Sequence, residues 1–476
     1  MFCSCPAGYQ AAPVNSNVCP VCLGLPGTLP VINRKAVEYT ITTGLALGCQ
    51  IPEYSKFDRK NYPYPDLMKG YQISQFDLPL AIEGSLEIEV DGETKRVGIE
   101  RVHLEEDVAK RQHVNPPDGA SYSLVDVNRS GTPLMEIVSK PDMRSAEEAR
   151  AYLTTLHSIV QYLGVSAANL QEGNFRCDAN ISIRPLGSTV LGTRSEVKNM
   201  NSFRAVYLAL NYEAERQRRI VEDGGKVVQE TRGWIDDRNM TVSQRSKEYA
   251  HDYRYFPEPD LPPLVISPQW VDEIRRGLPE LAYQRKARLM EQYALSEYDA
   301  RLLTNSRAMA DYFEEAVGHN PRGQRFAKSV SNWMLGDPNR LLNLENLEIA
   351  ESKIAPSHLA ELVELIDAGA LSVTMGKTVL EEAFASGDAP GKIVQEKGYS
   401  QISDSLVVEA AVAQAIESNP KAVTDYIGGK ESAAGFLVGQ VMQLTKGQAK
   451  PDLVQRLVLE RLESAKSPPK QPEKPE

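Results

Sequence analysis

From Phe175 to Arg184 the chain alternates without a break. Phe175, Cys177, Ala179, Ile181 and Ile183 fall on one side, and Arg176, Asp178, Asn180, Ser182 and Arg184 on the other. A period of two marks a strand with one face in a core, so this stretch commits its surroundings to a sheet. Pro185, Gly187 and Gly192 supply a turn, after which Arg194, Glu196 and Lys198 share one face of a second strand. The pair presents cationic groups around carboxylates and an amide. Two uses fit such a face. Charged residues alternating on an antiparallel sheet usually meet water, whereas a mixture of Asp, Asn, Arg and Lys can also hold a metal and a phosphate tail.

At 476 residues the chain is too long for a single core and predicts about three domains. Its formal net charge of -11 argues against a protein that coats nucleic acid nonspecifically, though a local basic groove is compatible with it. No apolar run approaches the length of a membrane span and no secretory leader is visible at Met1, so a cytoplasmic protein is expected.

The chain opens with Cys3 and Cys5 as C-x-C and Cys19 and Cys22 as C-x-x-C. This spacing predicts a closed, structural four-cysteine zinc knuckle. Two pairs of small buried thiols are the alternative. Cys49 and Cys177 stand alone and are expected in the core.

Residues 33 to 48 predict a helix entered through Asn33 and closed near Gly48. The loop from Lys56 to Leu80 is long and rich in aromatic residues, and Tyr62, Tyr64, Tyr71 and Phe76 could stack on a base or ribose, or merely anchor the loop. Leu86 to Val90 and Lys95 to Arg101 alternate around Asp91-Gly92, a hairpin signal. It leads to His103, Glu105, Glu106 and Asp107, which read equally as a cation-binding acidic cluster or as the first turn of a helix. Glu136 sits among Leu134, Met135, Ile137 and Val138, where a buried carboxylate would require a metal or an Arg partner. The three arginines at 216, 218 and 219 read as a solvated helix face. The glycine-rich echo ending in Gly376, Lys377 and Thr378 has the wrong spacing for a phosphate loop and reads as a turn.

The blocks HLEEDVAK, SLVDVNRSGTPLMEIVSKPD, EGNFRCDANISIRP, EVKNMNSFR, VVQETRGW and DYRYFPEPDLPPL together strongly resemble the B/E subunit family of the aspartyl/glutamyl-tRNA(Asn/Gln) amidotransferase, a tRNA-dependent amidotransferase. The resemblance runs from the cysteines to LVGQVMQLTKGQAKP near the end. It implies an enzyme, a ligase that uses ATP and magnesium to phosphorylate the side-chain carboxylate of Glu or Asp misacylated onto tRNA, after which ammonia displaces the phosphate. It further implies a heterotrimer with a glutaminase subunit and a small bracing subunit. No GGSSGGS-like amidase segment is present, so ammonia must be imported.

On that basis Glu105, Glu136 and Asp178 are the expected magnesium ligands. Asp178, Glu196, Lys198 and Arg176 are the catalytic candidates, and Asn180, Arg184 and Glu106 the candidates for holding the nucleotide. Family members usually carry a GLEVHVQL-type strand ahead of the cysteines that supplies further Glu and His. This chain starts after it, so an incomplete magnesium site is expected.

The fold expected is α+β. A cradle-like catalytic domain on a mixed or antiparallel sheet, with the zinc knuckle, spans 1–278. A helical domain follows over 279–400. A helical tail over 401–464, which resembles the part of the family that holds the tRNA outer corner, precedes a disordered end at 465–476. From Gln401 onward nine Lys and Arg face ten Asp and Glu, so the tail carries little of the negative excess and tolerates phosphate contacts. A noncatalytic, zinc-pinned tRNA-binding scaffold is the competing function.

Overall fold

The computed structural model describes residues 1–116, 119–246, 253–318, 323–345, 347–399, 405–445 and 447–466. Residues 401–404, 446 and 467–476 of the expected tail and end lie outside them. The chain divides into a unit of Met1–Leu281 and a unit of Ala282–Glu476. The first holds the sheets and the second is helical, so the protein is α+β.

In the first unit, helix α1 (Arg34–Ala46) begins where the Asn33 side chain accepts a hydrogen bond from the Lys35 amide. It ends ahead of Gly48, whose φ of +66° only glycine adopts cheaply. Short strands β1 (Tyr54–Ser55), β2 (Asp58–Asn61) and β3 (Tyr71–Ser74) follow. The long hairpin of β4 (Ala81–Val90) and β5 (Glu93–Glu106) turns at Asp91 and Gly92. Both turn residues have positive φ, +53° and +81°, the geometry that matches strand twist in a two-residue turn.

The outer hairpin of β6 (Lys110–Val114) and β7 (Tyr122–Asp126) precedes β8 (Pro133–Ser139), which returns to pair with β5. Strand β5 runs straight through His103 and Glu105, so these residues stand on a strand and the helix-start alternative fails. Among the described residues, strand β8 pairs on one side only, in a sheet ordered β4-β5-β8. Its Glu136 side chain is 51% exposed, which corrects the expectation of a buried carboxylate. An edge strand with an open face leaves such a group in contact with water.

Helix α2 (Ala146–Tyr162) packs on β4 and on α3 (Phe203–Glu222). Strands β9 (Ala179–Ile181) and β10 (Ser195–Lys198) form the expected antiparallel pair, shorter than the alternation suggested. Parallel pairing of β10 with β11 (Glu230–Ile235), and antiparallel pairing of β11 with β12 (Met240–Ser246), completes a mixed four-stranded sheet. Strand β13 (Phe256–Pro257) joins β2, β14 (Leu264–Val265) joins β1, and α4 (Pro268–Arg276) closes the unit. One core gathers Phe2, Val37, Ile41, Phe57, Ile73, Leu80, Leu104 and Ile266. Cys49 is buried, and burial pushes the Cys177 thiol up to about 12.

In the second unit, Pro356, Pro390 and Pro420 each open a helix, where the missing amide costs nothing. One core contains Phe313, Phe326, Val330, Leu362 and Val379. A separate one joins Val408, Val412, Leu437, Val441, Val454, Val458 and Leu462, whose four-residue spacing makes apolar stripes. Gly376 to Thr378 lie inside the helix Val373–Ser386, which corrects the turn assignment and leaves no phosphate loop there.

Candidate functional site

His103 of β5 stands opposite Glu136 of β8 in the antiparallel register, and Glu105 lies two residues further along β5. Pairing and alternation therefore point all three to one side of the sheet. His103 Nε2 lies 3.7 Å from Glu105 Oε2 and 3.8 Å from Glu136 Oε2. One ligating atom of each falls within 4.8 Å of the others. His103 Nδ1 is buried without a hydrogen-bond partner.

Glu105 is buried and accepts a 2.9 Å hydrogen bond from Ser74 Oγ. Burial would raise its pKa, yet His103, the Lys60 charge and Ser74 together hold the carboxyl below the usual range. An anionic, partly open oxygen site results. Two hard carboxylates beside an exposed edge suit a cation such as magnesium, which keeps several waters.

The predicted magnesium trio is brought together only in part. Among the described residues, Glu105 and Glu136 cluster with His103, whereas Asp178 belongs to a second patch. There Lys198 Nζ lies 2.7 Å from Asp178 Oδ2 and 3.7 Å from Glu196 Oε1. Glu196 accepts from Thr231 Oγ1 at 3.0 Å and is in register with Asn180. These side chains share the face of the mixed sheet opposite α3. Gly233 keeps that face flat, since a Cβ there would come within 2.2 Å of the Gln244 side chain.

Arg176 joins the two patches through a 2.6 Å ion pair to Asp107. One end of this pair is two residues from Asp178 and the other two residues from Glu105. Arg129 adds a second guanidinium 3.5 Å from the same carboxylate while donating to the carbonyls of Val108 and Ala109.

Glu106 and Arg184 stand apart. Alternation turns Glu106 to the opposite side of β5, where it pairs with Lys69 and accepts from the Ile73 amide at 2.9 Å. Arg184 donates to the Thr189 carbonyl at 3.0 Å within the turn.

Sequence reasoning missed Lys60, Ser74, Tyr253 and Tyr255. Lys60 stands 5.0 Å from the Tyr253 ring centroid and 5.8 Å from that of Tyr62. Tyr253 meets Tyr62 and Tyr255 edge to face. Burial and the neighbouring Glu105 raise the Tyr255 hydroxyl. The signal for Lys60 and the two tyrosines lay in the DRKN and DYRYF stretches, but nearly 200 residues separate those stretches, as between Asn61 and Tyr253, 192 apart.

The four N-terminal cysteines converge as well. Cys22 Sγ is 3.5 Å from Cys3, 3.6 Å from Cys19 and 3.8 Å from Cys5. Thiolates about 2.3 Å from a tetrahedral zinc stand about 3.8 Å apart, whereas a disulfide needs about 2.05 Å. Zinc therefore fits. The Cys19 thiol is lowered to about 7: burial opposes this, but hydrogen bonds from the Cys22 and Val21 amides and from neighbouring thiols prevail.

Residues 1–272 match the model of the GatB/GatE catalytic domain, and residues 311–462 that of the GatB domain. The chain is 55% identical over 469 residues to the B component of the aspartyl/glutamyl-tRNA(Asn/Gln) amidotransferase of Dehalococcoides mccartyi strain CBDB1, covering 97% of this chain and 95% of that protein. The corresponding protein of Moorella thermoacetica is 55% identical over 97% of this chain and 96% of its own length. That of Carboxydothermus hydrogenoformans is 54% identical over 97% and 95%.

Proposed function

Because this chain belongs to the GatB/GatE family, whose members carry out tRNA-dependent amidation, we propose that its first unit is the carboxylate kinase and transamidase of that reaction. The observation that carries this reading is the convergence of His103, Glu105 and Glu136 on one sheet face beside Lys60. The substrate is Glu on tRNA-Gln or Asp on tRNA-Asn, and the product the corresponding amide.

His103, Glu105 and Glu136 would hold magnesium, which when bound neutralises polyphosphate charge and polarises the γ-phosphoryl group. Lys60 and Arg176 supply fixed positive charge at the border of that site. Lys198, held between Asp178 and Glu196, orients the misacylated side chain with Asn180. A carboxylate oxygen of the substrate attacks the γ-phosphorus, and the bond to the departing ADP oxygen breaks. Ammonia from the glutaminase subunit then attacks the acyl carbon and expels phosphate. No nucleophile of the protein is needed, since the work is positioning and charge neutralisation.

Zinc on Cys3, Cys5, Cys19 and Cys22 pins the segment ahead of α1 and contributes folding energy. No described helix is long and apolar enough to cross a membrane. The protein works in the cytoplasm with the glutaminase and the small bracing subunit, and the Ser405–Lys466 helices hold the tRNA outer corner.

The test is magnesium-dependent ATP turnover by the chain assembled into the heterotrimer. Stimulation by misacylated Glu-tRNA-Gln or Asp-tRNA-Asn, and none by the correctly charged tRNA, is expected. Silence with both misacylated tRNAs while tRNA still binds would overturn the kinase reading in favour of the scaffold.

A further inference from the structure

Four aromatic residues of the Lys56–Leu80 loop offered themselves for stacking, and the structure separates them. Tyr71 lies under the Arg59 guanidinium at 4.3 Å and the Lys69 ammonium at 5.3 Å. Tyr64 carries Arg111 at 4.6 Å. Tyr62 packs edge to face on Tyr253. All three anchor the loop. Phe76 differs: its ring is stacked on Tyr255, with centroids 4.2 Å apart and planes within 10°, and the residue is 50% exposed.

The exposed ring is held in place from below. Its backbone amide donates to Asp58 Oδ2 at 3.1 Å. The preceding Gln75 is buried and donates to Ser55 Oγ at 2.7 Å while accepting from the Leu104 amide at 3.0 Å. Two residues before Phe76, Ser74 hydrogen-bonds Glu105 of the acidic centre. Two residues span at most about 7 Å, so the Phe76 backbone stands within that distance of Ser74, and Tyr255, on which the ring stacks, also has Glu105 as a neighbour. A large apolar side chain kept half in water on a rigid loop, beside a site for phosphate chemistry, has the attributes of a base-stacking platform.

We infer that Phe76, backed by Tyr255, stacks on an adenine ring delivered to the acidic centre. The inference rests on the kinase reading above, in which adenine arrives from two sources, ATP and the 3′-terminal adenosine that carries the aminoacyl ester.

The experiment compares wild type with Phe76→Ala, Phe76→Leu and Phe76→Tyr in the assembled heterotrimer. Binding of ATP and of a CCA-ended minihelix RNA is measured by calorimetry, and KM for ATP and for misacylated tRNA by turnover. Stacking on a nucleic-acid base predicts a loss of about fivefold to a hundredfold for the Ala and Leu variants. The loss should fall on one probe, which identifies the source of the adenine, and Tyr should restore it. Both affinities unchanged in Phe76→Ala would overturn the inference. So would loss of the glutaminase and small subunits from purified Phe76→Ala with both affinities intact, which would place the ring in an assembly contact. Wild-type complex without turnover would overturn the kinase reading instead, and the calorimetric comparison would still decide the stacking.

Discussion

The face of the mixed sheet that carries Asp178, Glu196 and Lys198 depends on what is packed behind it, and one buried carboxylate governs that packing. Glu213 of α3 is fully buried and lies between two guanidiniums, 2.9 Å from each of Arg216 and Arg232, with Thr241 Oγ1 as a further donor. Arg216 also reaches Ser195 Oγ at 3.3 Å, next to Glu196, and Arg232 pairs with Glu230. The group therefore ties α3 to strands β10, β11 and β12 at once.

Glu213→Gln keeps the volume and removes the charge. One amide oxygen is left to accept, and an NH2 group is turned toward donors. The Arg216 and Arg232 side chains, 19% and 11% exposed, would remain with half their compensation. Breaking a buried ion pair from one side costs about 3–5 kcal/mol. With Glu230 retained on Arg232, the lower figure of about 3 kcal/mol is expected, which lowers the melting temperature of the first unit by about 6–12 °C.

Thermal unfolding followed by tryptophan fluorescence is a suitable assay, because buried Trp234 on β11 adjoins the network. A shift below about 2 °C would refute the reasoning. So would loss of the same size for Glu213→Gln when Arg232 is already replaced by Met, since the two residues are predicted to couple.

The two acidic patches should separate kinetically. Glu136→Gln is expected to raise the magnesium requirement on the order of tenfold or more, whereas Asp178→Asn should lower kcat at an unchanged magnesium requirement; a magnesium titration of turnover distinguishes them. Cys22→Ser removes the thiol that lies within 3.8 Å of the other three, and elemental analysis should fall from about one zinc per chain to less than half. In the helical unit, burial opposes but the Arg288 and Arg285 contacts prevail in holding Glu314 below its ordinary 4.5. The unfolded chain therefore takes up the proton first, so the stabilisation is present above about pH 4.5 and is lost as pH falls through the lower folded value. Melting temperature against pH should show that acid limb in wild type, and Glu314→Gln should flatten it.

Local rules carried much of the sequence reading. The Asp91-Gly92 turn and the Asn33 cap of α1 both follow from backbone sterics within a few residues. The spacing of the cysteines likewise foreshadowed the convergence of their four thiols.

Tertiary structure decided what depends on partners far away in the chain. Glu136 reads as a buried acid in its own sequence, and only the edge position of β8 opens it to water. Asp178 and Glu105 carry the same chemical group, yet the pairing of β9 with β10 gives Asp178 a lysine, and the approach of β3 gives Glu105 the Ser74 hydroxyl. Arg216 is one of three neighbouring arginines, and only the packing of α3 buries its pair with Glu213 and brings Arg232 to the same carboxylate, while Arg218 and Arg219 pair with Glu215 at the surface. Residue type alone determines the charge of a side chain and the period of its strand. The field it stands in is set by whichever strand or helix the fold lays beside it, and for Phe76 that neighbour is Tyr255, 179 positions along the chain.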